Sequence, residues 1–390
     1  MPLLDAALAL AAFIGHFALA VWLFNRLHAL PLPVRLIKVS DKFIILAAAA
    51  VCIVFLWRWL ATGQAFLTSP SNEPPADRWM WLGYALLCWS VAIAVLPLWL
   101  IPKLVERVPA ALLKTERQMI DVAGRLGRQP IHGLKTNILA RVPGNQFLHI
   151  AVERKTLRLE RLPRELDGLT IAHLSDLHMT GHLGPEFYEL IVEETNRLTP
   201  DVTVITGDIL ERERCLSWGP PILGRLQARN GVFFIFGNHE MRLRDPAAFR
   251  QSLIAIGLSD LGSRCETLQI RGAEILLAGN ELPWFGAKPA LPSIRHPQSA
   301  IRILLSHTPD HLRWARAQNF DLMLAGHNHG GQIRLPYLGA LISPSHYGWR
   351  YAGGLYHESP TLLHVSRGLA GDHCLRLNCP PELALLTLTS

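Results

Sequence analysis

Three apolar stretches in the first hundred residues, about Leu3 to Phe24, Phe43 to Ala61 and Trp79 to Ile101, restrict how this chain can fold. Each is roughly the 20 residues that a helix needs to cross a bilayer, and none shows the polar stripe of a helix lying on a soluble core. Inside hydrocarbon every backbone group must be satisfied within its own segment, so three membrane-spanning helices are expected over residues 1–102. Mean hydropathy is +0.22 and only 18% of residues are charged, which fits a chain whose apolar excess is concentrated at one end. Arg58 interrupts the second stretch between Trp57 and Trp59, an arrangement suited to an interfacial aromatic belt with the guanidinium reaching out to the headgroups. Asp5, His16 and Pro97 form no relay through the spans, which argues against a transporter.

Charge asymmetry orients the spans. Arg26, Arg35, Lys38 and Lys42 lie between the first two, whereas Glu73 and Asp77 precede the third with Arg78 as the one cation. The first loop is therefore expected in the cytoplasm. Three spans then put everything after Ile101 there too, as Lys103, Arg107, Lys114 and Arg117 suggest independently. The expected location is a bacterial inner membrane, crossed several times, with no cleavable leader because no basic region precedes the first span. Residues 103–164 are basic and read as a juxtamembrane linker leading into the first strands, with a helix or two, resting on anionic headgroups of the lipid bilayer. Nucleic acid is not expected as a partner, because the formal charge of +7 is accounted for by this topology and no recognition module accompanies it. Six cysteines without a Cys-x-x-Cys pair predict no disulfide in a reducing compartment.

The second half is organised differently. Strand-like runs recur at Leu169 to Leu174, Val202 to Thr206, Val232 to Phe236, Ile275 to Ala278, Ile301 to Ser306, Leu322 to Ala325, Leu362 to Ser366 and Leu383 to Leu388. Helical runs such as Pro185 to Leu198 and Pro246 to Ile256 separate them, so residues 165–390 form one α/β domain. Five motifs, LSDLH, TGDIL, FGNHE, LLSHTP and AGHNHGGQI, place Asp176, His178, Asp208, Asn238, His307, His327 and His329 where apolar runs give way to loops. Metal-ligand side chains gathered at strand ends predict a two-metal, phosphoester-cleaving site. Carboxylate, imidazole and amide oxygen without cysteine suit Mn, Fe or Zn. Two divalent ions bring four positive charges and Asp176 and Asp208 remove two; the surplus would lower the pKa of a bridging water to give hydroxide for in-line attack. His239, adjacent to Asn238 but projecting differently, is left to protonate the leaving group.

On these motifs, with the segment Val365 to Gly368, the chain from about Leu169 resembles the calcineurin-like metallophosphoesterases, and among them a bacterial membrane-associated branch with GHxHGGQ, here Gly326 to Gln332. The resemblance implies two mixed β-sheets packed as a sandwich flanked by helices, with the metals at the strand ends. It also implies that Asp176, His178 and His329 hold one ion, that Asn238, His307 and His327 hold the other, and that Asp208 bridges them. In related phosphatases with a GDxxDR motif an Asp orients the catalytic His. Here that place holds Glu211, followed by Arg212, so Glu211 either reaches His239 or stays exposed in a charged run. Arg367 either binds substrate phosphate or caps a strand. The expected activity is hydrolysis of a phosphodiester or a lipid-linked pyrophosphate, since an anchored site meets bilayer-confined substrates most often. Soluble phosphodiesters or phosphoproteins as substrates, and a non-catalytic membrane scaffold, are the other readings.

Overall fold

The computed structural model describes residues 2–62, 75–105, 108–292, 300–371 and 373–390, and the chain divides into two compact units, Met1–Arg107 and Val108–Ser390. The first unit holds three helices, α1 (Pro2–His28), α2 (Val34–Thr62) and α3 (Pro75–Val105). Three spans were expected. Among the described residues two helical segments, Ala7–His28 and Leu82–Pro102, are long and apolar enough to cross a membrane by length and composition. The middle stretch is helical as well, but the side chains at its end, Arg58 and Trp59 included, lie outside the described residues. So do Glu73, Arg107 and the side chains of Asp77, Arg78 and Lys103, which carry part of the orientation argument. Gly15 allows α1 and α3 to approach closely, since a Cβ there would collide with the backbone carbonyl of Cys88. His16 is satisfied by the Tyr84 hydroxyl at 2.5 Å and the Ala48 carbonyl at 3.1 Å.

The second unit opens with β1 (Leu112–Asp121), α4 (Val122–Leu126), α5 (Leu134–Ala140), β2 (His149–Arg158), β3 (Thr170–Leu174), α6 (Pro185–Arg197), β4 (Val202–Thr206), α7 (Gly219–Leu223), β5 (Val232–Ile235), α8 (Pro246–Ala255) and β6 (Ser259–Asp260). It continues with β7 (Cys265–Ile270), β8 (Ala273–Asn280), β9 (Ala300–Ser306), α9 (Leu312–Ala317), β10 (Leu322–Ala325), β11 (Arg334–Leu335), β12 (Gly339–Ala340), β13 (Gly354–Glu358), β14 (Thr361–Val365) and β15 (Glu382–Thr389). A seven-stranded sheet runs β1-β2-β15-β3-β4-β5-β6 and a six-stranded sheet β13-β14-β10-β9-β8-β7. Both are mixed: β3 to β6 and β8-β9-β10-β14 are parallel, and antiparallel strands complete the edges.

The two sheets share a core in which Ile171, Val204 and Phe233 meet Ile275, Ile303 and Leu324. The outer face of the first sheet is covered by α6 and α8 through Phe187, Ile191 and Phe249, and that of the second by α9 through Leu312 and Ala315. Burial on both faces explains why the central strands read as unbroken apolar runs rather than alternating ones.

Residues 112–158 hold the first strands expected in the basic stretch, but in a different order from the helix-then-strand arrangement expected. The first strand precedes both short helices, and β1 pairs antiparallel with β2, which lies parallel to β15 inside the sheet. Two of the charges on β2 are buried as pairs, while Arg154 and Arg158 stay exposed: Lys155 contacts Glu382 at 2.5 Å and Glu153 at 2.8 Å. Arg367 reaches Glu153 at 2.8 Å.

Candidate metal centre

Every ligand-type residue singled out by the motifs follows the C-terminal end of a parallel strand. Asp176 and His178 come after β3, Asp208 after β4, Asn238 after β5, His307 directly after β9, and His327 with His329 after β10. This is the end at which open α/β sheets gather ligands. The chain must turn sharply there, and five of these residues take positive φ: Asp176 (53°), His178 (42°), Asp208 (52°), His327 (70°) and His329 (49°). That backbone region is costly for any side chain beyond glycine.

The turns bring the side chains together. Asp176, His178, Asp208 and His329 form one group and Asp208, His307 and His327 another, with ligand atoms in each within 4.8 Å of one another. Asp208 belongs to both. His178 Nε2 lies 3.1 Å from His329 Nε2 and 3.5 Å from Asp208 Oδ2, and His329 Nε2 is 3.4 Å from Asp176 Oδ1. On the other side His307 Nε2 is 3.2 Å from Asp208 Oδ2, 3.1 Å from Asn238 Oδ1 and 3.2 Å from His327 Nδ1.

Hydrogen bonds behind the ligands aim their nitrogens. His307 Nδ1 donates to the Thr206 carbonyl at 2.7 Å, so its Nε2 presents a lone pair to a site otherwise made of acceptors. His178 Nδ1 donates likewise to Glu211 Oε2 at 3.3 Å. Asp208 Oδ2, at the centre, is buried, and among the described residues it has no hydrogen-bond partner unless His307 Nε2, 3.2 Å away, carries a proton. A buried carboxylate oxygen surrounded by imidazole lone pairs is the arrangement a pair of cations completes, and the oxygen and nitrogen donors fit two divalent ions.

In the metal-free chain protons stand in for that charge. Burial works against a charged His178, but the Glu211 hydrogen bond and the charges of Asp208, Glu211 and Asp176 outweigh it and raise its pKa to about 9. His307 is raised to about 9 as well, against burial, chiefly by Asp208. Burial and the neighbouring His307 push His327 well below the ordinary value, and burial with His178 does the same to His329.

Glu211 is buried, not exposed in its charged run. Its Oε2 accepts from His239 Nδ1 at 2.9 Å as well as from His178, and Oε1 pairs with Arg242. Burial opposes its ionisation, yet the bonds from His178 and His239 hold the carboxyl far below its ordinary pKa. His239 Nε2 lies 3.8 Å from Asp208 Oδ2, and the ring is one of the few in the centre with an exposed edge. Arg367 points elsewhere: its guanidinium is buried against Glu153, Glu382 and the Pro380 carbonyl, which leaves no room for the substrate contact considered for it.

Three contributors were not singled out from the sequence. Glu240, fully buried beside His239, accepts from the N–H groups of Asp208, Ile209, Leu210 and Gly237 at 2.6 to 3.2 Å, pinning the loop that carries Asp208. Burial and the Asp208 charge push its pKa up to about 7. It is the last residue of FGNHE, in the turn after β5, where only its neighbours had been assigned roles. Trp284 packs against His307 and His327, ring centroids 5.4 and 5.0 Å away. Arg376, fully buried, donates to the Arg367 carbonyl at 2.5 Å and lies 3.4 Å from His329 Nδ1. Nothing local in the sequence marks either.

The chain is similar to known proteins. The profile of the calcineurin-like phosphoesterases matches residues 169–331. The metallophosphoesterase YkuE of Bacillus subtilis is 30% identical over 247 residues, 62% of this chain and 86% of that protein. The bovine (Bos taurus) transmembrane protein with metallophosphoesterase domain is 31% identical over 278 residues, 64% of this chain and 60% of that one. The UDP-2,3-diacylglucosamine pyrophosphatase LpxG of Chlamydia muridarum is 26% identical over 296 residues, 60% of this chain and 88% of that enzyme.

Proposed function

This chain belongs to the calcineurin-like metallophosphoesterases and is a metal-dependent phosphoesterase with a dinuclear divalent centre; on that premise we propose that it is anchored in a membrane and cleaves a phosphodiester or pyrophosphate borne by a lipid. The carrying observation is the convergence of Asp208 Oδ2 with the nitrogens of His178, His239 and His307 at 3.2 to 3.8 Å. In this reading Asp176, His178 and His329 hold one ion, Asn238, His307 and His327 the other, and Asp208 both. Mn, Fe and Zn all suit these donors. When bound, the ions supply an activated water and neutralise the phosphoryl oxygens.

The chain's own groups do the rest. His239, held through Nδ1 by Glu211, presents Nε2 to the leaving oxygen and gives it a proton. Glu240 fixes the Asp208 turn. The membrane part of the proposal is supported by the apolar helices of the first unit and by the bovine relative's description as a transmembrane protein. The cations that follow Ile101 favour a bacterial inner membrane with the catalytic unit in the cytoplasm. The lipid substrate is supported by LpxG, whose name describes a pyrophosphatase of an acylated sugar nucleotide.

The test is turnover by the full chain, loaded with Mn, Fe or Zn, of bis(p-nitrophenyl) phosphate, p-nitrophenyl phosphate and lipid pyrophosphates. Asp208→Ala is expected to lose metal and activity, and full retention of both would sink the two-metal reading. His239→Ala is expected to keep metal but turn over more slowly, most of all with poor leaving groups. A reporter fused after Ser390 that worked only outside the cytoplasm would overturn the orientation.

A further inference from the structure

The hairpin that follows the GHNHGGQ turn exposes what the rest of the catalytic unit hides. β11 and β12 pair over two residues only, Arg334 with Ala340 and Leu335 with Gly339, and a ribbon that short needs outside support. Ile333, Leu335, Tyr337 and Ile342 are nonetheless exposed, and Tyr337, at the turn with φ of 62°, is fully in solvent. From Gln332 to Ser345 there is no acid and one cation, Arg334. The base of the hairpin is seated against the metal centre. Its first strand begins five residues after His329, and a Cβ on Gly331 would meet that of Ala340 at 2.5 Å.

A second apolar element shares its support. Leu134 and Ile138, one turn apart on α5, are 79% and 57% exposed. The loop after α5 and β11 are tied to the same segment: Asn145 Nδ2 donates to the Cys374 carbonyl at 2.9 Å, and Arg334 N to that of Leu377 at 2.9 Å. Between those two anchor points lies Arg376, whose guanidinium contacts His329. Both apolar elements therefore border the His329 side of the centre. Lys135 and Arg141 beside them are exposed cations.

We propose that the β11–β12 hairpin and the outer face of α5 dock on a lipid bilayer, setting the metal centre at the level of the headgroups. A water-facing surface does not ordinarily display side chains of this kind together. Apolar residues with a tyrosine at the tip, no acid and flanking cations are the composition that enters a membrane interface and meets anionic headgroups. The occupant is lipid rather than protein because the same chain carries helices apolar enough to cross a bilayer. The inference rests on the reading above, in which the substrate is carried by a lipid.

The test uses the full chain in nanodiscs with Tyr337→Cys carrying an environment-sensitive fluorophore, against Gln269→Cys as an exposed control on the distant β7 edge, each corrected for labelling of the unsubstituted chain. Lipids brominated in the acyl chain are expected to quench the probe at 337 and spare that at 269. Absence of quenching at 337, or crosslinking there between two copies without quenching, overturns the docking. A second arm measures Leu335→Ser with Tyr337→Ser on soluble bis(p-nitrophenyl) phosphate and on phosphatidyl-p-nitrophenol in vesicles of phosphatidylcholine and phosphatidylglycerol. Turnover of the soluble diester should be unchanged, while KM for the vesicle substrate rises by about tenfold as apolar contact with the bilayer is lost. An equal effect on both substrates would count against it. If neither diester is cleaved by the unsubstituted chain, the functional reading fails, and the quenching still decides the docking.

Discussion

Replacing Glu211 by glutamine isolates what the buried carboxylate contributes to proton transfer. The amide keeps the shape but not the charge, and its oxygen would still accept from His239 Nδ1, now 2.9 Å from the carboxylate. What disappears is the negative charge that faces His239 while its Nε2 gives a proton to the leaving oxygen. A hydrogen bond to a charged partner is worth about 1.5–3 kcal/mol, and about 2 kcal/mol corresponds to roughly thirtyfold in rate. The loss should fall on leaving groups that need a proton. Full-length protein at saturating metal would be assayed on diesters whose leaving groups run from p-nitrophenol to a simple alcohol. Saturation matters because Glu211 also holds His178 at 3.3 Å, and losing a support of that kind weakens metal binding by about 10- to 100-fold. We expect little change for p-nitrophenol and about thirtyfold for the alcohol. A loss independent of the leaving group would refute the Glu211 to His239 argument and leave Glu211 a structural residue.

Three further outcomes follow from the geometry. His178 and His307, both raised to about 9 in the metal-free chain, are protonated below that pH, so loading at neutral pH should release about two protons, fewer as pH rises through 9; calorimetry in buffers of different ionisation enthalpy reads the number, and zero would remove them as ligands. Lys155→Met should destabilise by about 3 kcal/mol, because Arg367 would be the one buried cation left to Glu153 and Glu382; a denaturant midpoint within error of the unsubstituted chain would contradict the paired network. Chelation of tightly bound metal should lower the thermal midpoint of the catalytic unit, since metal in thousandfold excess over its Kd adds about 4 kcal/mol; a chelator-insensitive melt would mean that the centre holds no ion in the folded chain.

The legibility of the sequence divides along physical lines. The central strands were readable because burial on both faces leaves a continuous apolar signature: Val202 to Thr206 and Leu322 to Ala325 match the observed strands residue for residue. β2 was not, because Glu153, Lys155 and Arg154 look like solvent-facing charge. Only the partners brought by β15 and the segment after β14, Glu382 and Arg367, make burial of the first two tolerable, and those lie more than two hundred residues away. The same reason hid the destination of Arg367. The candidate ligands were readable because they sit in short strings at strand ends, whereas Trp284 and Arg376 reach the centre through folding alone and occupy loops with no local pattern.

The positive φ values at five of these residues sharpen the argument that the centre is what those turns are for. None of the five is glycine, and each pays a steric cost of about 1–2 kcal/mol for a left-handed backbone. Summed, that is of the order of a domain's whole stability, so the strain persists only because the surroundings over-determine it. The surroundings are identifiable. Glu240 takes four backbone N–H groups of the Asp208 and Asn238 loops, and Asp176 accepts the His327 N–H at 3.1 Å with both oxygens. Gly237 and Gly326 leave space that a Cβ would fill, since one at Gly237 would meet His307 Cε1 at 2.6 Å and one at Gly326 would collide with Ser175 and Asp176. A turn built only to connect a strand to a helix would be easier with glycine or asparagine at the strained positions. Placing Asp and His there instead, with their donor atoms converging on one buried oxygen of Asp208, is a conflict between local preference and fold of the sort expected at a functional site.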